Sequence, residues 1–140
     1  MMSTKRLVVR PGDRSPALSV LGVKITVLVS DEASQITHQS GDEGAGPPAH
    51  SHDWDESFYV LKGQVQFTCD GQTTTCSSGT LVHVPGGTVH AFSFGPGGGE
   101  MLEITGVGSN AIQMFSALDR EMEVPKVLQV FGEYGVAFHN

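Results

Sequence analysis

Hydrophobic and polar residues alternate in short runs along this chain, and turn residues interrupt the runs every few positions, a pattern of strands rather than helices. An opening strand is predicted over Arg6 to Val9, ending at Pro11-Gly12, and Val20 to Val29 is apolar enough to hold one or two more. Ser40 to Pro48 is dense in Gly and Pro. It reads as a loop within one domain, because strand patterns resume at once. Further strands are predicted at His50 to His52, Glu56 to Leu61, Gln64 to Cys69, Thr73 to Cys76, Leu81 to Val84, His90 to Phe94 and Met101 to Val107. Asp70-Gly71 has the composition of a two-residue hairpin turn, a register that sets Cys69 opposite Gln72 and Cys76 opposite Val65. Short, evenly spaced strands of this kind close into a barrel or sandwich, which also removes adhesive sheet edges.

At Asn110 the period changes. Ala111, Met114, Phe115, Leu118 and Met122 recur at helical spacing, and Asn110 with Gln113 forms a candidate capping box. Pro125 is expected to stop this short C-terminal helix, predicted over about 110–123, which packs on the barrel or on a second subunit. The tail, Val127 to Asn140, mixes Val, Leu and Phe with glycines and offers surface for pairing.

A chain of 140 residues suits a single domain, 1–140, and its 18 glycines and 7 prolines agree with many tight turns. The net charge of -7 argues against a general nucleic-acid or anionic-membrane surface, both of which demand clustered Lys and Arg. Lys5, Arg6, Arg10 and Arg14 do cluster, but near the N-terminus, where they read as a solvated arm. No run approaches the roughly 18 apolar residues of a membrane-spanning helix, and Met1 to Arg10 lacks the apolar region of a signal peptide. A cytoplasmic location is expected. Two cysteines are too few for a disulfide framework, so Cys69 and Cys76 are expected to be free, reduced thiols.

The chemistry is carried by four residues. Side chains alternate across a strand, so His50 and His52 point to one face with Cα atoms about 6.5 Å apart, close enough for two imidazoles to converge on one ion. Asp53-Trp54-Asp55 can turn the chain, after which Glu56 begins the next strand and supplies a carboxylate. His90 is the natural fourth ligand, because Pro85-Gly86-Gly87-Thr88 is a turn that starts a strand with the ring aimed inward. Imidazole plus carboxylate suits one divalent transition metal, Fe, Mn, Ni, Cu or Zn, rather than Ca or Mg. Taken alone, a His-x-His pair on a strand is more often a surface or hydrogen-bonded pair, and a lone Glu56 would be solvated. His38, His83 and His139 are expected to lie outside the centre.

Together the four resemble the cupin superfamily. Its first motif, G-x5-H-x-H-x3-E-x6-G, is matched over 44–63 by Gly44, His50, His52, Glu56 and Gly63. The second, G-x5-P-x-G-x2-H-x3-N, is matched over 79–94 by Gly79, Pro85, Gly87 and His90, with Phe94 in place of the final Asn. The resemblance implies a double-stranded β-helix, or jelly-roll barrel, of the small single-domain bacterial type, with His50, His52, Glu56 and His90 as metal ligands. Counting by twos from His90 brings Phe92 and Phe94 to the inward face, as Phe58 shares the face of Glu56, so these rings are predicted to line a substrate pocket. Trp54 is a gate to that pocket or an exposed loop aromatic.

A three-His, one-Glu set leaves one or two positions open, the geometry of a catalytic metal. Similar cupins include dioxygenases of the quercetinase type, and the expectation is therefore a dioxygenase acting on a small aromatic or enol-type substrate, with Glu56 doubling as the base. A redox-neutral isomerase, cyclase or lyase, and a binding module without turnover, are the alternatives. The resemblance further implies a homodimer.

Overall fold

The structure, a computed structural model, describes residues 8–139. Among the described residues, nine strands form one sheet that curls on itself: β1 (Leu18–Val20), β2 (Val23–Ser30), β3 (Gln35–Gly41), β4 (His50–Ser51), β5 (Glu56–Cys69), β6 (Gln72–Ser77), β7 (Leu81–Val84), β8 (His90–Thr105) and β9 (Ala137–Phe138). Two helices, α1 (Ala111–Leu118) and α2 (Val124–Glu133), precede β9. The order along the sheet is β1-β2-β3-β8-β4-β9, and β5 pairs with β6, β7 and β8. Among the described residues every strand pairing is antiparallel, and the long β5 and β8 run beside each other for their whole length, from Glu56 opposite Thr105 to Cys69 opposite His90. This is the expected all-β barrel. Among the described residues no helix is long and apolar enough to cross a membrane.

The interior holds Ile25, Phe58, Val60, Val65, Phe67, Val84, Phe92, Phe94 and Met101, drawn from β2, β5, β7 and β8 at alternate positions. One open end of the barrel is covered by the helices, which bury Ala111, Met114, Phe115 and Leu118 of α1 and Val127 and Phe131 of α2.

Several elements differ from the sequence expectation, each for a local reason. The two strands predicted on either side of Gly63 are one, β5, with irregularities between Val60 and Lys62 and between Gly63 and Val65. Gly63 has φ +70°, and a Cβ there would lie 2.2 Å from the Gly98 carbonyl oxygen, so only glycine lets the two long strands pass this closely. Likewise β8 runs through Gly95 to Gly99 without a break. The hairpin at Asp70-Gly71 forms in the expected register, with Cys69 opposite Gln72 and Cys76 opposite Val65, and both thiols are free. Of the predicted opening strand, Arg6 and Leu7 lie outside the described residues, as does Lys5 before it, while Val8 and Val9 form no strand.

β3 is an addition. Its inward residues Gln35, Thr37 and Gln39 are buried although polar, while Ile36 faces the other way, so its alternation is inverted with respect to an apolar core.

The C-terminal helix ends earlier than expected. α1 stops at Leu118, and Ser19 holds the following turn: its N–H donates to Asp119 Oδ1 at 2.8 Å and its carbonyl accepts from the Arg120 N–H at 2.9 Å, with Arg120 at φ +61°. Met122 therefore lies outside the helix and is exposed, and Pro125 sits in the first turn of α2, where its missing N–H is not needed, rather than ending α1. The capping box between Asn110 and Gln113 does not form. The α1 amides are met instead by Ser109 Oγ, which accepts from Ala111, and by Gln35 Oε1, which accepts from Ile112 at 2.9 Å; Asn110 Nδ2 donates to the Tyr134 carbonyl.

Candidate metal centre

The sheet register itself brings the histidines together. His50 and His90 are directly paired across β4 and β8, and their ring centroids lie 4.2 Å apart. His52 follows on the same face, 4.9 Å from the His90 ring, and all three can offer nitrogens within 4.8 Å of one another. The turn that starts β8 is docked against the loop carrying His52. The Gly87 N–H donates to the His52 carbonyl and the Gly86 N–H to Asp55 Oδ1, each at 2.8 Å, and a Cβ at Gly86 would lie 2.2 Å from the Asp53 carbonyl oxygen. Glu56 opens β5 and reaches the same point: its Oε1 lies 3.0 Å from His90 Nε2 and 3.3 Å from His52 Nε2.

Each ring is fixed by its other nitrogen. His50 Nδ1 donates to the Pro48 carbonyl at 2.8 Å, His52 Nδ1 to the Trp54 carbonyl at 3.0 Å and His90 Nδ1 to the Thr88 carbonyl at 2.8 Å. A carbonyl only accepts, so in all three rings Nδ1 carries a proton and Nε2 is the nitrogen left for the centre. This is the outer support that metal-binding imidazoles use to set tautomer and orientation.

The electrostatics are those of a buried, crowded site. Burial, followed by the positive charge of a protonated His90, lowers His50 from 6.5 to about 4. Burial also acts to lower His90, but the hydrogen bond and charge of Glu56 outweigh it and raise the ring above the usual value. For Glu56, burial works upward and is outweighed by hydrogen bonds from Glu103, His52 and His90, which hold the carboxylate well below its usual range. Those hydrogen bonds also weaken it as a base. Glu103, buried and facing the negative charge of Glu56, is pushed well above the ordinary carboxyl value. Burial moves the Cys69 and Cys76 thiols upward too, away from the thiolate that a nucleophile requires.

A cavity of about 50 Å³ opens beside the centre. His50, His52, Glu56 and Glu103 form its polar wall; Trp54, Phe58 and Phe92 form an aromatic one, and Met114, Phe115 and Phe131 close it from the helices. His90 sits behind the wall, 2 % exposed.

Four pocket residues were expected, and the structure separates them. Phe58 and Phe92 line the cavity. Trp54 is not an exposed loop aromatic: it is buried and stacks on His52, with centroids 4.3 Å apart and planes 8° apart. Phe94 is inward but lies outside the cavity wall. Its ring meets Phe92 edge-on at 5.8 Å and presses on Gly41, where a Cβ would come within 2.7 Å of it. It packs behind Phe92, between that ring and Gly41. His38, His83 and His139 stay outside the centre, bonded to Glu100, Ser57 and Ser51.

Sequence reasoning missed Glu103, Thr37 and Gln39. Thr37 Oγ1 donates to Glu103 Oε1 at 3.1 Å, and Gln39 Nε2 donates to Thr37 Oγ1 at 3.2 Å. The signal available was parity: Glu103 lies two residues from Met101 and from Thr105, all three buried on one face of β8. Leu102 and Ile104 masked it, because strands on both sides half-bury them on the outer face.

Residues 38–105 match the family model for the cupin domain. A quercetin 2,3-dioxygenase from Bacillus subtilis is 34% identical over 58 residues, which are 41% of this chain and 17% of that protein, so the match spans about a sixth of the relative's length. Among solved structures, an RmlC-like cupin from Shewanella frigidimarina superposes with a TM-score of 0.72 at 18% identity, covering 80% of this chain and 99% of that one. A polyketide cyclase from Streptomyces resistomycificus superposes with a TM-score of 0.63 at 20% identity, covering 72% and 79%.

Proposed function

We propose that this chain, whose residues 38–105 match the family model for the cupin domain, is a metal-dependent enzyme in which His50, His52, Glu56 and His90 hold one divalent transition metal. The observation that carries this reading is the set of three imidazoles, each locked through Nδ1 to a backbone carbonyl so that Nε2 faces the others and the Glu56 carboxylate. Three neutral nitrogens and one carboxylate are the donor set of Fe, Mn, Ni, Cu or Zn.

The reaction we favour is dioxygenation of a small aromatic or enol-type substrate, in keeping with the quercetin 2,3-dioxygenase relative. When bound, the metal would supply Lewis-acid polarisation of a substrate oxygen and, for a redox-active ion, oxidation chemistry. The chain's own residues supply the rest. Trp54, Phe58 and Phe92 grip an apolar ring, while Met114, Phe115 and Phe131 exclude water from above it. A cavity of about 50 Å³ is far below the roughly 300 Å³ of pockets that enclose drug-sized ligands. The substrate is thus small, unless α1 and α2 move. Glu56 serves first as a ligand, its basicity lowered by its hydrogen bonds, and takes a substrate proton only once one of these is given up.

A second reading rests on Glu103, a buried carboxyl that reaches the cavity beside Glu56. An acid and a carboxylate side by side suit redox-neutral isomerisation, cyclisation or elimination, which need no oxygen. The enzyme in either case is proposed to work as a cytoplasmic homodimer, and sedimentation as a monomer would overturn that part.

Metal analysis of the purified protein, followed by oxygen-uptake measurements with small phenols, diketones and enols, tests the main reading. We expect one transition metal per chain, lost in the double variant H50A/H52A, and turnover that stops without oxygen. Absence of metal from protein that also cannot be loaded with it would sink the centre. Turnover that continues anaerobically would move the assignment to the second reading.

A further inference from the structure

Glu103 is a buried carboxyl group that the four-ligand centre does not require. It lies inward on β8, directly paired with Thr37 of β3 on one side and Phe58 of β5 on the other, and is 4 % exposed. Burying an acid costs several kcal/mol unless its polar atoms are satisfied. Here they are, by neutral groups and by Glu56: Thr37 donates to Oε1 at 3.1 Å, Gln39 supports Thr37 at 3.2 Å, and Glu103 itself is hydrogen-bonded to the Glu56 carboxyl.

The chain of contacts therefore runs from Gln39 and Thr37 through Glu103 to Glu56, and from Glu56 to His90 and His52. Its first two members come from a strand whose inward face is polar. Without Glu103, nothing in this chain of contacts holds the back of the Glu56 carboxyl, and rotation about its terminal bond would move Oε1 off the line to the two histidine nitrogens.

We propose that Glu103 is the positioning residue for Glu56, held by Thr37 and Gln39, and that it sets the affinity of the centre for its metal. The proposal rests on the metal-centre reading above and adds to it a residue outside the ligand set. Side chains that orient a ligand from behind are typically worth 10–100-fold in metal affinity.

The test is metal affinity, measured by stripping the full-length protein with chelator and titrating Zn²⁺ or Co²⁺ against a competing indicator. Folding is checked by circular dichroism of the metal-free protein, and the Co²⁺ visible spectrum reports coordination. We expect E103A to bind one metal per chain about 10–100-fold more weakly than the wild type. E103Q, whose amide can donate to Glu56 while its oxygen accepts from Thr37, should bind within about threefold of the wild type and keep its Co²⁺ spectrum. Wild-type affinity in E103A would overturn the proposal. So would equal weakness of E103A and E103Q, which would point to charge rather than position, and so would complete loss of binding in E103A, which would make Glu103 a ligand. Failure of the wild-type protein to bind either metal would sink the metal-centre reading itself. Should E103A not fold, T37V decides: it leaves Glu103 in place with the Thr37 donor removed and only Gln39 beside it, and a several-fold loss of affinity is expected, against none if the network is only structural.

Discussion

His90 Nε2 lies 3.0 Å from Glu56 Oε1, although 34 residues separate them in the chain and each is almost wholly buried. One comes from the first residue of β8 and the other from the first residue of β5, so the contact ties together the starts of the two longest strands.

Breaking that pair should be costly even without metal. Removing one partner of a buried charge pair typically costs about 3–5 kcal/mol, because the other is left without compensation. H90A is expected to lower the unfolding free energy of chelator-treated protein by about that much, read from urea denaturation, and to abolish metal binding at wild-type concentrations. A loss below about 1 kcal/mol would mean that Glu56 finds other partners.

Acid should weaken the metal-free protein through His50. Its folded value is about 4 against 6.5 in the unfolded chain, so below pH 6.5 the unfolded state takes up a proton that the folded state refuses. Stability present above 6.5 is thus lost as pH falls towards 4, by about 3 kcal/mol at most. His90, raised by Glu56, works in the opposite direction, its contribution being complete below 6.5 and lost as pH rises through its folded value. Glu56, depressed, adds its loss only below 4.5. H50Q should therefore flatten the pH profile of urea unfolding between 6.5 and 4.5. An unchanged slope there would assign it to other groups.

Gly63→Ala should destabilise strongly for a surface position. It faces both a φ of +70° and a carbonyl oxygen 2.2 Å from the added Cβ. Backbone strain of this kind costs of order 1–3 kcal/mol, and the clash adds to it. A fall in melting temperature of several degrees is expected, whereas Gly71→Ala, strained in φ but with nothing within 4 Å of its Cβ, should lose less.

Gln35→Ala should loosen the helix that closes the cavity. It removes the acceptor for the Ile112 N–H and the contact with Gln113, a loss of about 1–2 kcal/mol by comparison with other helix caps. Amide hydrogen exchange across residues 111–118 should accelerate while β5 and β8 stay protected. Uniform acceleration over the whole chain would mean that the helix and barrel open together.

The barrel and the four candidate ligands were legible in the sequence because their signals are local. His50 and His52 share strand parity, Glu56 follows a turn, and His90 follows a glycine-rich one. What was not legible depends on distant partners. The apolar stripe of α1 continues in sequence to Met122, but the helix ends at Leu118 because Ser19, 100 residues from Asp119, holds the turn. β3 escaped notice because its buried residues are polar, and a pattern search reads buried as apolar. Glu103 was hidden behind the apolar Leu102 and Ile104 on either side.

The polar inward face of β3 also limits how this protein can be altered. Gln35 latches the helix over the cavity, and Thr37 and Gln39 reach the acid beneath it, all within a strand of seven residues. An engineer seeking a sturdier barrel would first replace these side chains with Val, Ile and Leu. Such a variant would gain apolar packing but take partners from the Ile112 N–H and the Glu103 carboxyl, leaving the roof unfastened and the carboxylate unbraced, so this one strand resists the usual route to a sturdier barrel.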